Sequence, residues 1–322
     1  MITLYELYWS HYCEKIRWAL DYKKLPWREI NINAFTKREM KKFPATQKRH
    51  LVPLIHDSNT NQSISDSSPI LHYLENTYPE SPTLFPNDIA EKEKLYKLLI
   101  ELDSKLAVIA RRLGYTQLIL ENPKILSRLF LSDIGNGFFN LPAIRKISSA
   151  CLGMLLIKRF GFELSESLFL YEELEMYLLS IAQKLQSNKF LFNNTFSAAD
   201  ISLAVYLRPL RIVPFFIDNP ALAGLFEWQK NLLKEHNREE KLLYEILIEE
   251  HRKHHAPVRR YIRNFSDKGF LHQIEQSINT IKTAYNDHHP LWTWRMWCVP
   301  YYYFFKIRRN KLRQQHASET VR

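Results

Sequence analysis

Glycine is scarce, 7 residues in a chain of 322. That excludes a collagen-like repeat, a Gly-rich low-complexity segment and the glycine-rich loops that wrap nucleotide phosphates. Cysteine is scarcer still. Cys13, Cys151 and Cys298 are odd in number and far apart, so they form neither a disulfide framework nor a zinc-ligand spacing. A reducing, cytoplasmic setting is expected, and no metal. Long apolar runs are missing too. Stretches such as 150–157 fall well short of the ~20 residues that cross a bilayer. The opening letters MITLYELYW lack the basic region and apolar core of a secretion leader, so none is expected.

Hydrophobic residues make up 46% and charged residues 25%, the balance of an ordinary globular protein. The length suggests two domains with an appendage. The net charge of +11 is unevenly placed. Residues 251–322 hold 14 Lys and Arg against 4 Asp and Glu, whereas residues 1–250 hold 31 against 30. A nearly neutral body therefore carries a strongly basic end.

Residues 1–80 read as alternating strands and helices. The segments 3–9, 27–32, 52–56 and 63–65 are short and strand-like. Ile16, Ala19, Leu20 and Lys23 recur at helical spacing within 12–24, and a second helix is expected over 67–78, ended by Pro79. The order predicts one sheet with helices on both faces. Pro79, Pro82 and Pro86 then interrupt regular structure, which marks 81–88 as a linker. Residues 89–250 are almost wholly helical in pattern, with a stripe at Leu95, Leu98, Leu99, Leu102 and Leu106. Within them, 136–162 reads as a loop followed by a helix. In Phe196-Ser197-Ala198-Ala199-Asp200-Ile201, Ser197 and Asp200 have the spacing of a capping box, and Phe196 and Ile201 that of a hydrophobic staple.

The segment Ser10-His11-Tyr12-Cys13-Glu14-Lys15-Ile16-Arg17-Trp18-Ala19-Leu20 resembles the first βα turn of the cytosolic glutathione transferases, in particular their serine-type, bacterial-like members. Leu51-Val52-Pro53-Leu54-Ile55 resembles the cis-proline strand of that family. Ser65-Asp66-Ser67-Ser68-Pro69-Ile70-Leu71-His72-Tyr73-Leu74-Glu75 resembles its γ-glutamyl-binding helix start. With the capping box, these segments cover about residues 1–250 in the family's order. The resemblance implies an α/β thioredoxin-like domain over 1–80, a linker over 81–88 and an all-α domain over 89–250. It offers no counterpart for the extension 251–322.

The resemblance also implies roles. Glutathione would be the co-substrate, its thiolate conjugated to a small electrophile, and the protein would act in detoxification as a homodimer. Ser10 would be catalytic, donating a hydrogen bond to a sulfur held at the positive end of the first helix. The bland role for Ser10 is a simple N-cap, and the two are compatible. The Val52 backbone, turned by a cis Val52–Pro53 bond, would bind the cysteinyl unit of glutathione, and Asp66 and Ser67 its γ-glutamyl end. Leu51 stands where many serine-type members carry a lysine for the glycyl carboxylate, so His50, or else Lys48 or Arg49, is the substitute named for that contact. Cys13, one helical turn after Ser10, is a second candidate thiol. The first cysteine of a glutaredoxin-like C-x-x-C has become Ser10, which argues against dithiol chemistry, and a packed Cys13 is the alternative. His11 replaces a frequent proline. Lys24 stands where a helix-ending glycine is usual, and a left-handed backbone there would cost on the order of 1 kcal/mol. Arg111 and Tyr115 are candidate wall residues of the electrophile site.

Two rival readings use the same residues differently. One is a non-catalytic adaptor with the transferase fold, acting through its extension. There the aromatic and basic block 291–313 suits either peripheral contact with a membrane surface or packing over the helical domain. Nucleic-acid binding ranks last because no recognised motif accompanies the charge. The other rival is a glutathione-dependent reductase working through Cys13.

Overall fold

A computed structural model describes residues 1–34, 37–43, 51–131, 142–160 and 167–258. The chain divides into two units, Met1–Phe265 and Ser266–Arg322. The second unit lies outside the described residues, and so do Lys48, Arg49, His50 and the block 291–313.

The first unit is organised around β1 (Ile2–Glu6), all five residues of which are buried. It pairs in parallel with β2 (Trp27–Asn31) and antiparallel with β3 (Leu54–Asp57), which pairs antiparallel with β4 (Gln62–Ser65). The sheet order is β2-β1-β3-β4. A parallel pair needs a crossover, and α1 (His11–Tyr22) supplies it. Alternation along β1 sends Glu6 to the α1 side, where Arg17 meets it at 2.6 Å. Tyr5 goes to the other side and packs with Ile32, Met40 and Leu54. α1 and α2 (Ser67–Thr77) pack together, while among the described residues the Tyr5 side is covered by Met40 from a 3₁₀ turn at Arg38–Met40.

α1 ends as expected from Lys24, whose φ is 53°. Leu25 N donates to Leu20 O at 3.1 Å and Lys24 N to Asp21 O at 2.9 Å. These are the paired bonds of a Schellman ending, made here without the glycine that usually occupies the left-handed position.

From 78 to 88 there is no helix or strand, yet this segment is anchored. Leu84 and Phe85 are buried, Ala198 N donates to Leu84 O at 3.0 Å, and Lys23 Nζ donates to Pro82 O at 3.2 Å. The described residues beyond it are helical. They form α3 (Ile89–Glu101), a π-helical turn at Leu102–Ala107, α4 (Val108–Glu121), α5 (Lys124–Leu131), α6 (Pro142–Phe160) and α7 (Ser167–Gln186). Then come α8 (Ala198–Leu207), α9 (Pro214–Ile217), α10 (Ala223–Glu235) and α11 (Leu243–Arg252). Leu95, Leu99, Leu102 and Leu106 form the expected buried stripe. Gly114 allows α4 to approach the turn at Arg208–Ile212, since a Cβ there would lie 2.9 Å from Pro209 Cβ.

The capping box is present. Ala199 N donates to Ser197 Oγ at 3.3 Å and Ser197 N to Asp200 Oδ2 at 2.9 Å. Phe196 stacks on His236 and packs against Tyr22 and Trp18, which fixes the entry of α8 against α1. α8 in turn packs along α1, so the helical part holds the crossover helix of the sheet directly. α11 runs through Arg252, whose guanidinium donates to Glu121 at 2.6 and 2.9 Å.

Candidate functional site

Ser10 occupies the N-cap of α1 with extended backbone, φ −80° and ψ 122°, and its side chain makes no bond to the first-turn N–H groups. It is half-buried. Its side chain lies beside the Cys13 thiol and opposes that group's upward shift. Cys13 has no exposed surface. Burial pushes its thiol up to about 12, the Glu6 carboxylate adds to this, and the Leu7 backbone and Ser10 oppose it. A neutral, enclosed thiol is a packing residue, and it cannot meet a disulfide without local opening.

The Val52–Pro53 bond is cis. Val52 is half-buried and Pro53 buried. Asp66 N donates to Pro53 O at 2.9 Å, which ties the loop before β3 to the start of α2. Asp66 itself is exposed and holds φ 79°, ψ 140°. That is a costly conformation for a residue with a Cβ and of a kind concentrated at ligand sites. Its carboxylate accepts from Ser67 N at 2.7 Å. Ser67 is buried, 1% exposed, and its side chain lies beside the Tyr206 hydroxyl. The structure thus brings Val52, Pro53, Asp66 and Ser67 to one edge. α2, which Asp66 caps, packs against α1.

His11 is 4% exposed and packs between Tyr12 and Tyr206, with ring centroids at 4.3 and 5.4 Å. Burial holds its imidazole well below the usual value, and the charges of Arg111 and Lys15 push the same way. It is therefore neutral. Arg111 lies over the Tyr12 ring at 5.4 Å. Trp9 meets Phe130 edge-on at 5.5 Å, and Phe130 meets Tyr115 at 6.1 Å. The two wall residues expected from chain position, Arg111 and Tyr115, do stand around the N-terminal turn of α1. Trp9, Tyr12 and Phe130 join them, and of these Trp9 and Tyr12 were within sight because they flank Ser10 in the chain.

Buried charges stand behind this edge, and no local pattern in the chain announces them. Lys15 Nζ, 0% exposed, pairs with Asp103 Oδ1 at 3.1 Å. Burial lowers its pKa, and Asp103 opposes the shift. On another side of α1, Arg208 meets Glu14 at 2.7 Å and Glu245 at 3.2 Å, all of them buried. A cavity of ≈ 310 Å³ lies beside them, lined in part by Tyr8, Arg17, Asp21, Arg238 and Glu240. It is zwitterionic, with Arg238 on Asp21 and Arg17 on Glu6. Among the described residues no group of three His, Cys, Asp or Glu side chains is set to hold a metal, and no helix is long and apolar enough to cross a membrane.

Residues 4–82 match the family described as "Glutathione S-transferase, N-terminal domain". No curated protein matches the chain. Among solved structures, the chain is similar to glutathione transferase GSTFuA2 from Phanerochaete chrysosporium, at 17% identity and TM-score 0.53, over 74% of this chain and 99% of that one. It is similar to glutathione S-transferase unclassified 2 from Bombyx mori, at 17% and 0.52, over 78% and 97%. It is also similar to the beta-etherase LigF from a Sphingobium strain, at 14% and 0.52, over 77% and 99%. At these identities the likeness is one of fold. Residues 4–82 therefore match the glutathione S-transferase N-terminal domain, and the chain has the glutathione transferase fold over the 74–78% of its length that these structures cover.

Proposed function

We propose that this protein is a glutathione transferase in which Ser10 stabilises the thiolate of bound glutathione for attack on a small electrophile. The observation that carries this reading is the state of Ser10. It holds the N-cap of α1, it is half-buried rather than enclosed, and its side chain leaves the first-turn N–H groups unsatisfied by capping. Those N–H groups favour an anion at the helix end. The Cys13 thiol beside it is neutral, a weak partner, so one rotamer step commits the hydroxyl to a stronger one.

The peptide would lie along the edge already described. The Val52 backbone, set by cis Pro53, would pair with the cysteinyl unit. Asp66 would meet the γ-glutamyl amino group, and Ser67 would act through its backbone and through Tyr206, since its side chain is buried. The electrophile would sit among Trp9, Tyr12, Arg111, Tyr115 and Phe130. A homodimer fits the exposed apolar residues Ile100, Phe169 and Met176 on α3 and α7. A buried Cys13 counts against the reductase reading.

Ser10→Ala separates catalysis from binding. A hydrogen bond to a charged group is worth about 1.5–3 kcal/mol, so turnover with a chromogenic electrophile should fall about 10- to 100-fold. Affinity for glutathione, measured by calorimetry, should stay nearly unchanged. Equal turnover in both forms rejects Ser10. The adaptor reading is favoured by Leu51, which offers no charge to the glycyl carboxylate. It predicts that the full chain passes through immobilised glutathione without retention.

A further inference from the structure

Between α3 and α4 the helix loosens into the π-helical turn at Leu102–Ala107. Such turns insert a residue into the helical phase and are frequent at functional positions. This one carries Asp103, whose carboxylate takes up bonds from three other elements. Lys15 Nζ of α1 donates to Oδ1 at 3.1 Å, the Tyr206 hydroxyl of α8 donates to Oδ1 at 2.5 Å, and the Ser68 hydroxyl of α2 donates to Oδ2. Lys15 Nζ also donates to the Tyr206 oxygen at 3.0 Å and lies 5.3 Å from the centre of that ring. The Ser67 side chain lies beside the same hydroxyl. Lys15 and Tyr206 have no exposed surface.

An arrangement of this kind is a poor source of stability. The cost of taking two charges out of water roughly cancels their attraction, and well-packed apolar residues of the same volume serve a core as well or better. What the charges supply is direction. Apolar side chains in their place would leave the first turn of α2 free to shift, whereas Asp103 fixes it through Ser68, and Tyr206 fixes it again through Ser67. The same carboxylate fixes α1 through Lys15, one turn below Ser10. The two helix ends that would hold the sulfur and the γ-glutamyl group are thus referred to a single point in the helical part.

We propose that Lys15, Asp103 and Tyr206 are positioning residues that set the spacing between the Ser10 end of α1 and the Asp66–Ser68 start of α2, and so set the affinity for glutathione. This rests on the glutathione reading above. The three residues touch neither peptide nor electrophile and act through Ser67, Ser68 and the body of α1.

The test uses the full chain, reduced glutathione and a chromogenic electrophile. In the double variant Lys15→Met with Asp103→Leu, no lone charge is left behind. Its melting temperature should stay near that of the parent, while the Kd for glutathione rises about tenfold, the factor spanned by one hydrogen bond to a charged group. Turnover at saturating glutathione should change by less than about twofold, because the Ser10–sulfur contact is reformed once the peptide is bound. Tyr206→Phe, which removes one hydroxyl, should raise the Kd about threefold and decides the matter alone if the double variant fails to fold. Unaltered Kd in folded variants, or a lowered melting temperature with unaltered Kd, overturns the proposal and leaves the glutathione reading standing. No heat of binding in the parent chain removes that reading and this proposal together.

Discussion

Helices α1 and α8 pack against each other, and both are buried along most of their length, but they are buried by different means. All ten residues of α8 are enclosed, and apart from Asp200 and Ser202 they are apolar or a tyrosine. Ser202 returns its hydroxyl to Ala198 O at 2.7 Å, and Asp200 is spent in the cap. Nine of the twelve residues of α1 are enclosed as well, yet three of them are Glu14, Lys15 and Arg17, each meeting an opposite charge from another element at 2.7, 3.1 and 2.6 Å. Lys23, just past its end, meets Glu75 at 3.0 Å. α8 is held by removal of hydrocarbon from water, which has no preferred direction. α1 is held by pairs that add little net stability but fix its rotation and height.

The comparison breaks most readily at Arg208. Arg208→Met strips the counter-charge from Glu14 and weakens the surroundings of Glu245, so unfolding free energy in urea should fall by about 3–5 kcal/mol. Adding Glu14→Gln to that chain should restore part of the loss. A cost below about 1 kcal/mol for the single variant would mean that the α1 charges are as well hydrated as surface ones.

The Arg17 contact sharpens the contrast through pH. Burial raises Glu6 from 4.5 to about 7, with Arg17 opposing and Glu29 adding. The folded chain therefore holds the Glu6 proton more tightly than the unfolded chain does. Its contribution to stability is complete below about pH 4.5 and is lost as pH rises through about 7. Urea midpoints of Glu6→Gln should lack that decline, while those of the parent show it. A parallel decline in both assigns the titration to other groups. The smallest effect belongs to the end of α1. Lys24→Gly relieves a left-handed backbone at 53° and should add about 1 kcal/mol, with turnover untouched. A loss of stability would mean that the Lys24 side chain contributes more than its backbone costs.

Much of this frame can be read in the letters. The elements of residues 1–80 begin and end within a few positions of expectation, because alternation, proline and capping act locally. Ser10 at the N-cap and the Ser197–Asp200 box are local in the same sense, whereas the cis bond at Pro53 and the strain at Lys24 followed from the family resemblance. The charges on α1 were not legible, since a buried lysine and a solvated one look alike until the partner is placed, and Asp103 stands 88 residues away. The π-helical turn hid within a leucine stripe whose spacing at 99, 102 and 106 suits an ordinary helix. Leu98, read as part of that stripe, is half-buried at its edge. That the Ser67 side chain is buried beside Tyr206 was not legible either, since only the packing of α8 brings the two together.

The central claim concerns the sulfur at the head of α1, and its ionisation can be followed directly by the ultraviolet absorbance of the thiolate. Titrating glutathione bound to the parent chain and to Ser10→Ala against pH should give a midpoint well below the roughly 8.5 of a free thiol in the parent, and a return toward that value in the variant. A bound thiol that titrates like the free one, or identically in both proteins, would contradict the account.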